Sequence, residues 1–388
     1  MHKKLLDFTP RAIIFRLWCH VLFFITRFGR SRDGIWLIGE NRGDPLGDNG
    51  VWFYSYCRKI VGAENVYFVM KKGSAGANKL EFDDNVVFYG SIAHAKAFHS
   101  SSVFFYTHTF RDLAPIELFS FYGGGRYKVF LHHGVLGFKR FNEKYIKNRN
   151  EMDLFTVGSE FERRLAIEEV GVDSTRVRVT GYARYDNLFD GASSYNPKKI
   201  ISYMPTHRNY LEWGGRKSEF FISVEEFLDS KELTRFLKKW DCELYFIPHK
   251  EMSPYFSHFS ASSKRVVCFS YGDISVSDVL KHSDVLITDY SSVSWDFRYL
   301  NKPVLFYQSD AELYDEDRGA YIDFRCNDLG AVFDNYKDLV LELDRVACND
   351  FCAFQGAAAG LSFGFSGGAS GSCCERIYQI VLAEIEHF

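Results

Sequence analysis

The sequence lacks the signatures of several large protein classes. Its nine cysteines include no Cys-x-x-Cys pair, which argues against a disulfide framework or a zinc site and favours a reducing compartment. The formal net charge is only −3, so nothing indicates a nucleic-acid-binding protein. There is no Gly-x-x-x-x-Gly-Lys-Ser/Thr segment and no Gly-x-Gly-x-x-Gly after a strand, which excludes P-loop and dinucleotide-binding signatures. No internal repeat is visible.

The N-terminal thirty residues contain no apolar run long enough to cross a bilayer. Arg16, His20 and Arg27 interrupt the apolar segment 12–28, and no small-residue cleavage site follows it, so we expect no signal peptide. The apolar residues can share one broad face of a helix that leaves the three basic residues outside. We therefore predict an amphipathic helix within residues 1–30, either lying in a membrane interface or packed on the first domain.

The remaining chain reads as two α/β domains. Hydrophobic residues make up 46% of the 388 residues and charged residues 25%, which is typical of globular proteins. Short apolar runs alternate with helical patterns, which predicts parallel sheets covered on both faces. The predicted strands are 35–38, 66–69, 86–89, 103–106, 129–131, 154–157, 200–204, 244–247, 266–269, 285–288 and 304–307. The predicted helices are 49–60, 92–98, 160–170, 224–240, 293–300, 336–347 and 374–387.

A polar segment, 191–199, is the best candidate for a linker between the domains. It places a first Rossmann-like domain at residues 31–190 and a second at residues 198–350, followed by a C-terminal helical segment at residues 351–388. Two such domains facing each other would bind ligands at the carboxyl ends of their strands, in the cleft between them.

The most informative stretch is 283–297. It reads as a buried strand, a polar elbow over 289–292 and a new helix, and a second strand follows Pro303. Ser291 and Ser292 fall where that helix exposes unpaired N–H groups, which attract anions. Spacing alone leaves two interpretations open, a phosphate-binding elbow or simple N-capping, and by itself favours capping.

Polar clusters also follow other predicted strands, and several are cationic. They are His132-His133-Gly134, Thr206-His207-Arg208, His249-Lys250, Thr288 to Ser292, and Arg318-Gly319. Taken singly, a histidine in such a place is usually structural. Together, the clusters suit a polyanionic ligand such as a nucleotide diphosphate. A zinc site built from these histidines is an alternative, although the local ligand spacing is missing.

The sequence resembles the CDP-glycerol glycerophosphotransferases, which include teichoic-acid primases and polymerases and related capsule enzymes. The resemblance covers roughly residues 35–385. The motifs that carry it are Asp284-Val-Leu-Ile-Thr-Asp-Tyr-Ser-Ser-x-x-x-Trp-Asp-Phe297, Leu300-Asn-Lys-Pro-Val-Leu-Phe-Tyr307 with Asp310, Asp48-Asn49, His133-Gly134, Gly181-Tyr-Ala-Arg-Tyr-Asp186, Met204-Pro-Thr-His-Arg208, Pro248-His-Lys250 and Arg318-Gly-Ala-Tyr321.

The resemblance implies a GT-B fold, in which two Rossmann-like domains face a cleft and the second binds most of the nucleotide. It implies transfer of glycerol phosphate from CDP-glycerol, or of ribitol phosphate from CDP-ribitol, to a hydroxyl of a lipid-linked or glycan acceptor, with release of CMP. It also implies a peripheral protein on the cytoplasmic face of the cell membrane. We expect no cofactor, no metal and no nucleic-acid partner, and a homo-oligomer is left open.

The resemblance also assigns roles to residues. His133 is the expected base that takes the acceptor proton, and His249 is the second expected catalytic group. The expected donor-binding residues are Thr206, His207, Arg208, Lys250, Thr288, Ser291, Ser292, Asp296 and Arg318. The residues expected on the acceptor side are Asp48, Asn49, His132 and Gly134.

The sequence departs from the family pattern at several positions. His132 and His207 stand where the family usually has tryptophan, so His132 is kept as an alternative base. Ala183 replaces a proline, and Lys139 lies one residue further along than expected. Two other functions remain open: a GT-B glycosyltransferase that uses a nucleotide sugar, and a non-catalytic scaffold for envelope-polymer synthesis.

Overall fold

Two parallel sheets organise the protein, one in each half of the chain. The computed structural model describes residues 10–26, 34–74, 80, 83–114, 125–138, 140, 152–189, 198–208, 218–252, 255, 259–270, 273–323, 330–352 and 373–386. Residues 191–197 of the predicted linker, and Lys139, lie outside the described residues. We call residues 10–189 the first lobe and residues 198–352 the second lobe.

The first lobe contains a seven-stranded sheet in the order β3-β2-β1-β4-β5-β6-β7, and all its neighbouring strands are parallel. Its elements are α1 (Pro10–Thr26), β1 (Ile35–Gly39), α2 (Asn49–Tyr56), β2 (Val66–Met70), β3 (Val86–Phe88), α3 (Ile92–Ser100), β4 (Ser101–Tyr106), β5 (Tyr127–Phe130), β6 (Leu154–Val157), α4 (Glu160–Glu168), β7 (Val177–Val179) and α5 (Ala183–Phe189).

The second lobe contains a six-stranded parallel sheet in the order β10-β9-β8-β11-β12-β13. Its elements are β8 (Ile200–Met204), α6 (Glu219–Leu228), α7 (Lys231–Lys239), β9 (Glu243–Phe246), β10 (Val266–Cys268), α8 (Val276–His282), β11 (Val285–Thr288), α9 (Val293–Tyr299), β12 (Val304–Tyr307), α10 (Ala311–Asp317), β13 (Ala331–Phe333) and α11 (Tyr336–Cys348). A last helix, α12 (Cys373–Ile385), follows.

Every strand predicted from the sequence is present, with bounds shifted by at most two residues. The prediction missed the edge strands β7 and β13 and the short helices α5, α8 and α10. The single predicted helix 224–240 is in fact two helices, because Asp229 ends α6 and the Ser230 side chain caps α7. The GT-B expectation is confirmed, since each lobe is a doubly wound parallel sheet.

Hydrophobic side chains pack on both faces of each sheet, and one of these cores is shared by the two lobes. Along β8, β11 and β12, alternate residues point to opposite faces, as the period of a strand requires. One face packs only within the second lobe. The other face packs against the first lobe, where Phe138 stacks on Trp295 with ring centroids 5.2 Å apart and Tyr185 stacks on Tyr299 at 4.1 Å. The lobes therefore meet through an apolar interface.

The C-terminal helix returns to the first lobe. Cys374, Ile377 and Val381 pack into a core with residues of β1 and α2. Both carboxylate oxygens of Asp186 accept backbone N–H groups at its start, from Cys373 at 2.9 Å and Cys374 at 2.8 Å. An acidic side chain at this end also suits the helix dipole. The predicted C-terminal helical segment thus closes onto the lobe that begins the chain.

Helix α1 packs on α3 with one face and exposes the other. Cys19, Leu22 and Phe23 are buried, and the Phe23 ring contacts the rings of His94 and Phe98 at 5.3 and 5.1 Å. The opposite face carries exposed apolar residues, namely Ile14, Leu17, Trp18, Val21, Phe24 and Ile25. Within the described ranges, no helix has both the length and the apolar character needed to cross a bilayer.

Candidate active site

The elbow after β11 is held by a buried aspartate. Asp289 is buried and lies directly after the last residue of β11. Its two carboxylate oxygens accept the backbone N–H of Thr206 at 2.9 and 3.0 Å, which ties the elbow to the end of β8. Since β8 and β11 are the neighbours at which the strand order reverses, this bond fixes the edge where doubly wound sheets bind ligands.

Ser291 and Ser292 open helix α9, but Ser292 does not cap it through its side chain. Ser292 has φ −63° and ψ −12° and makes no side-chain cap bond. The carbonyl of Ser291 accepts both the N–H and the hydroxyl of Ser294, at 3.2 and 2.8 Å. Both serines are partly exposed. Simple side-chain capping by Ser292 is therefore wrong, and both serines lie where a ligand can reach them.

The loop after β5 in the first lobe touches this elbow. A Cβ atom added to Gly134 would lie 2.8 Å from the Oγ atom of Ser292, so only glycine fits here without a shift of the serine. His133 immediately precedes this glycine. The fold thus brings the expected base and the expected phosphate elbow, which are far apart in sequence, to the same point of the cleft.

The exposed ring of His133 stacks face to face on His108. The two imidazole centroids are 4.0 Å apart and the interplanar angle is 16°. The carbonyl of His133 accepts a hydrogen bond from Nη1 of Arg184 at 3.4 Å. Both the backbone and the side chain of His133 therefore have defined neighbours, while the residue stays open to solvent.

His132 points the other way, into the first lobe. It is 1% exposed and adopts φ +58°. Its Nδ1 lies 3.3 Å from the Tyr182 hydroxyl, which in turn donates to the buried carboxylate of Glu162. Burial, and then the neighbouring His133, hold the pKa of His132 well below its usual value. The expected place of His132 on the acceptor side is therefore not supported, because its ring does not reach the cleft.

Asn49 is also an internal residue. Its Nδ2 donates to the carbonyls of Leu131 and His132 at 3.2 and 2.7 Å, and its Oδ1 accepts the backbone N–H of Arg184 at 3.1 Å. The side chain is fully buried. Asn49 thus joins three segments of the first lobe and has no group left over for an acceptor.

Glu40 organises the loop that carries Asp48. Its carboxylate accepts the N–H groups of Gly47, Asp48 and Val51 at 2.7, 3.1 and 2.9 Å. Burial raises the pKa of Glu40 to about 7 despite these bonds. Asp48 in turn accepts the N–H of Asn49 at 2.8 Å and begins helix α2.

Arg184 joins the lobes through Asp296. Its Nε and Nη2 atoms donate to the two carboxylate oxygens of Asp296 at 3.0 and 2.8 Å, a bidentate pair that crosses from one lobe to the other. Asp48 lies 3.5 Å from Nη1 of the same guanidinium. The rings of Tyr182 and Tyr185 flank it at 4.7 and 5.4 Å. Asp296 was expected to bind the donor, and instead its carboxylate is bound to Arg184.

Arg208 is likewise engaged within the protein. Nε and Nη2 donate to Asp310 at 2.8 and 2.9 Å, and Nη1 lies 2.9 Å from Asp289 and donates to the Thr206 carbonyl at 2.8 Å. The side chain is 0% exposed. A direct bond from Arg208 to a donor phosphate, as expected from the sequence, does not fit this geometry, because its charge is already offset by two carboxylates.

The two threonines near the elbow differ. Thr288 is fully buried and its hydroxyl donates to the Met204 carbonyl at 2.7 Å, so it joins two strands and does not face a donor. Thr206 is also buried, but its hydroxyl has no hydrogen-bond partner among the described residues. A buried hydroxyl without a partner is unusual in a native protein. Because the backbone N–H of Thr206 is bonded to Asp289 at the elbow, its hydroxyl is a candidate to bond to a ligand there.

A cationic rim lies after β8 and β9. His249 and Lys250 are exposed and His207 is partly exposed, and the rings of His207 and His249 are 6.1 Å apart. Nδ1 of His249 accepts the N–H of Glu251 at 3.2 Å. In a neutral imidazole this leaves the proton on Nε2, which makes that atom a donor.

The segment that contains Arg318 crosses to the first lobe. The carbonyl of Gly319 accepts the N–H of Arg140 at 3.2 Å, and the N–H of Tyr321 donates to the Gly137 carbonyl at 2.8 Å. Arg318 itself is partly exposed, and its Nε lies 3.9 Å from Asp317. Sequence analysis placed this segment after the last strand, whereas β13 follows it.

The structure thus brings one subset of the predicted residues together at the cleft and places the others inside the lobes. Gly134 meets Ser292 directly, and His133 and Ser291 are their neighbours in the chain. Sequence analysis missed His108, Arg184 as a bridge, Glu40 and Glu162. Glu40 follows β1 directly and His108 lies two residues beyond the end of β4, so the rule that singled out the other strand-end clusters would have found them. Across the described part of the chain, no group of three potential metal-ligating side chains is close enough to hold a metal ion.

Comparison with known proteins agrees with the fold and the motifs. A sequence profile of the family described as CDP-Glycerol:Poly(glycerophosphate) glycerophosphotransferase matches residues 22–381. The minor teichoic acid biosynthesis protein GgaB of Bacillus subtilis is 25% identical over 367 residues, which cover 87% of this chain and 38% of that protein. The teichoic acid glycerol-phosphate primase of Bacillus spizizenii is 33% identical over 169 residues, covering 41% of this chain and 40% of that protein. The chain therefore spans about two fifths of the length of these curated relatives.

Among solved structures, the wall teichoic acid polymerase TagF superimposes with a TM-score of 0.71 at 20% identity, covering 97% of this chain and 96% of the other. A UDP-N-acetylglucosamine 2-epimerase from Listeria monocytogenes superimposes with a TM-score of 0.57 at 13% identity, covering 91% of this chain and 97% of the other. At these identities the superpositions establish the shared two-lobed fold alone.

Proposed function

Because the chain belongs to the CDP-glycerol:poly(glycerophosphate) glycerophosphotransferase family, we propose that it transfers a polyol phosphate from a CDP-linked donor to an acceptor hydroxyl and releases CMP. CDP-glycerol is the first candidate donor. CDP-ribitol is the second, since a relative 31% identical over 228 residues is a teichoic acid poly(ribitol-phosphate) polymerase. The proposed acceptor is a lipid-linked or glycan chain of the cell envelope.

The contact between Gly134 and Ser292 is the observation that carries this proposal. It supports a reaction in which a base from the first lobe takes the proton of an acceptor hydroxyl that attacks a phosphate held by the second lobe. The Cβ-to-Oγ distance of 2.8 Å that a side chain at Gly134 would create leaves no room for an intervening residue. A phosphate bound at the elbow serines would therefore lie next to His133, within reach of a nucleophile activated there.

The proposed reaction has one bond formed and one broken. The acceptor oxygen attacks the β-phosphorus of the donor, and the bond from that phosphorus to the bridging oxygen breaks. CMP leaves with the electron pair of that bond. The acceptor proton passes to His133, which is exposed and can exchange it with solvent afterwards. A positioned histidine suits this step because its ordinary pKa lies near neutral pH.

The donor phosphates need hydrogen-bond donors and positive charge, and the exposed rim residues offer both. We assign this role to Ser291, Ser292, His207, His249 and Lys250, with Arg318 at the far side. The Nε2–H of His249 can donate to the oxygen on which charge develops as CMP leaves. The hydroxyl of Thr206, which has no hydrogen-bond partner among the described residues, is assigned as a further donor for this phosphate.

Four residues first expected to touch substrate are proposed to position the site instead. Arg208 and Thr288 hold the ends of β8 and β11, Asp296 holds Arg184, and Asn49 holds the loop before His133. Each is buried and fully engaged by protein groups in the structure. Such residues matter to catalysis through geometry, because a reacting group displaced by an ångström loses much of its effect.

We further propose that the protein lies on the cytoplasmic face of the membrane, with α1 in the interface. The exposed fractions of Ile14, Leu17 and Trp18 on its outer face are 66%, 61% and 53%. A contiguous apolar face of this kind is costly in water and is typical of interfacial helices. The alternative is a homo-oligomer in which a second copy covers this face.

Donor turnover tests the proposed function. The full-length protein would be incubated with CDP-glycerol, CDP-ribitol and a set of nucleotide sugars, each with a lipid-linked acceptor bearing a terminal glycerol phosphate, and released nucleotide would be measured by chromatography. We expect CMP from CDP-glycerol or CDP-ribitol. Nucleotide released only from a sugar donor would favour a glycosyltransferase, and no turnover of any donor would favour a scaffold.

A further inference from the structure

His108, near the end of β4, faces the expected base His133. His108 lies two residues beyond the last residue of β4, and β4 neighbours β5, which carries His133. The two rings are nearly parallel, with centroids 4.0 Å apart and an angle of 16° between their planes. His108 is 32% exposed, so it lies at the edge of the cleft and not in the core.

The loop that carries His108 is clamped. Asp112 is fully buried, and one of its oxygens accepts the N–H groups of Thr107, His108 and Thr109 at 3.2, 2.8 and 3.3 Å. Its other oxygen accepts the N–H of Arg42 at 3.0 Å. A carboxylate that gathers four backbone N–H groups leaves the loop little freedom.

The ring of His108 is also held directly. Its Nδ1 lies 2.8 Å from the hydroxyl of Thr107 and 4.0 Å from the carboxylate of Asp112. Together with the clamped backbone, this contact sets the plane of the ring. His133 stacks on a surface that is itself fixed, whereas its own side chain is exposed on the other side.

The fixed, neutral ring of His108, stacked on His133, would affect His133 as a base in two ways. It restricts the rotation of the His133 side chain, which otherwise has several rotamers open to it. It also presents a π face to the imidazolium that forms when His133 takes a proton, and a π face attracts a cation. Two stacked imidazolium rings would repel each other. Partial burial, and then the Arg42 guanidinium, lower the pKa of His108 to about 4, which favours its neutral form near pH 7.

We propose that His108 is a positioning residue that orients the His133 ring and stabilises its protonated form. This inference rests on the proposed role of His133 as the base. The groups near His133 include the ring of His132, at 5.2 Å between centroids, and Arg184, which donates to its carbonyl at 3.4 Å. Arg184 is held by Asp296 and Asp48, and its position does not depend on His108.

The test compares His108→Ala, which removes the ring, with His108→Phe, which keeps an aromatic face but cannot bond to Thr107. In the donor assay with CDP-glycerol, we expect His108→Ala to lower kcat about tenfold or more, a part of what a general base contributes. The KM for CDP-glycerol should change less than about twofold, since His108 does not hold the donor. His108→Phe should restore most of the lost kcat. His282→Phe, at an exposed histidine of α8, is the matched control and should leave kcat unchanged.

A second readout does not need turnover. NMR of protein with isotope-labelled histidine gives the pKa of His133 directly. Loss of the ring in His108→Ala should lower the pKa of His133 by a few tenths of a unit, and His108→Phe should leave it near the wild-type value. If the wild-type protein turns over no CDP-linked donor, the proposed function fails, and this titration still decides whether the two rings are coupled.

Two results would overturn the proposal. One is an unchanged kcat and an unchanged His133 pKa in His108→Ala. The other is an equal loss in His108→Ala and His108→Phe with a normal His133 pKa, which would mean that the loop and not the stacked ring is what matters. Near-UV circular dichroism of both variants confirms folding before either comparison.

Discussion

Replacing Arg208 with methionine separates a donor-binding role from a structural one. Methionine keeps most of the apolar stem and removes the guanidinium, which is 0% exposed. The change leaves Asp289 and Asp310 buried without their cation, and it also removes the guanidinium that lies 4.4 Å from the ring of Phe220. Breaking a buried pair by removing one partner costs about 3–5 kcal/mol.

The upper end of that range is the better expectation here, since two carboxylates are left without a partner. We expect the free energy of unfolding of the second lobe to fall by about 5 kcal/mol, a large part of the roughly 5–15 kcal/mol that keeps a domain folded. Because Asp289 holds the N–H of Thr206 at the elbow, donor affinity should fall only together with stability.

Urea unfolding followed by circular dichroism measures the effect. The triple variant Arg208→Met, Asp289→Asn, Asp310→Asn removes the whole charged set and should recover several kcal/mol, since replacing all members of a buried ionic group is often close to neutral. Arg345→Met is the matched control, because that side chain is 75% exposed and its pair with Glu342 lies at the surface. It should change the unfolding free energy by less than about 0.5 kcal/mol.

One outcome would refute this reasoning. If Arg208→Met unfolds at the wild-type urea concentration but binds CDP-glycerol much more weakly in calorimetry, the guanidinium contacts the donor. The argument from burial would then be wrong, and the expectation from the sequence would be restored.

Three further predictions follow from other parts of the structure. His133→Ala should abolish CMP release while calorimetry shows CDP-glycerol binding largely intact, and measurable turnover would remove His133 as the base. Deletion of residues 1–30, or serine at both Leu17 and Trp18, should release the protein from anionic phospholipid vesicles in a sedimentation assay, and continued sedimentation of both variants would contradict an interfacial α1. Burial raises the pKa of Glu162 to about 7, so the folded protein holds this proton more tightly than the unfolded chain. The stability from Glu162 is full below pH 4.5 and is lost as the pH rises through 7. Relative to Glu162→Gln, the wild type should therefore lose about 3 kcal/mol of unfolding free energy across that window, and parallel urea curves at pH 5 and pH 7.5 would show that Glu162 does not titrate there.

The fold could be predicted from the sequence because parallel strands that are buried on both faces have short, continuous apolar sequences. The runs 200–204 and 285–288, for example, are buried throughout in the structure. The strands that sequence analysis missed, β7 and β13, have three residues each and lie at the outer edges of the sheets. Arg178 interrupts the apolar run of β7, and the run of β13 is only three residues long, whereas the apolar runs of the edge strands β3 and β10 continue into a fourth residue.

Short helices were missed for a similar reason. Helices α5, α8 and α10 have seven residues each, too few for a helical period to stand out in the sequence. The break between α6 and α7 was also missed, although Ser230 was visible as a capping residue. Because large apolar residues occur on both sides of Ser230, one long helix was the simpler interpretation.

The phosphate elbow that the sequence predicted remains the centre of the proposed site, but its neighbours were chosen by the fold. The amino-acid sequence by itself determined the two α/β domains, the family, and the fact that polar residues gather at the carboxyl ends of the strands. A residue that directly follows a parallel strand lies at the carboxyl edge of the sheet, and the sequence around the strand is enough to predict this position.

Only the tertiary structure decided which of those residues face the cleft. Arg208 is turned inward by Asp310, 102 positions away in the chain, and Arg184 is bound to Asp296 across 112 positions. Gly134 meets Ser292 because the two lobes share an apolar core. A charged side chain is buried where opposite charge offsets the loss of water and is exposed where none does. Whether a charged side chain is buried or exposed therefore depends on the oppositely charged residues that packing brings next to it. A sequence motif identifies a candidate catalytic residue, and its neighbours in the folded structure determine its role.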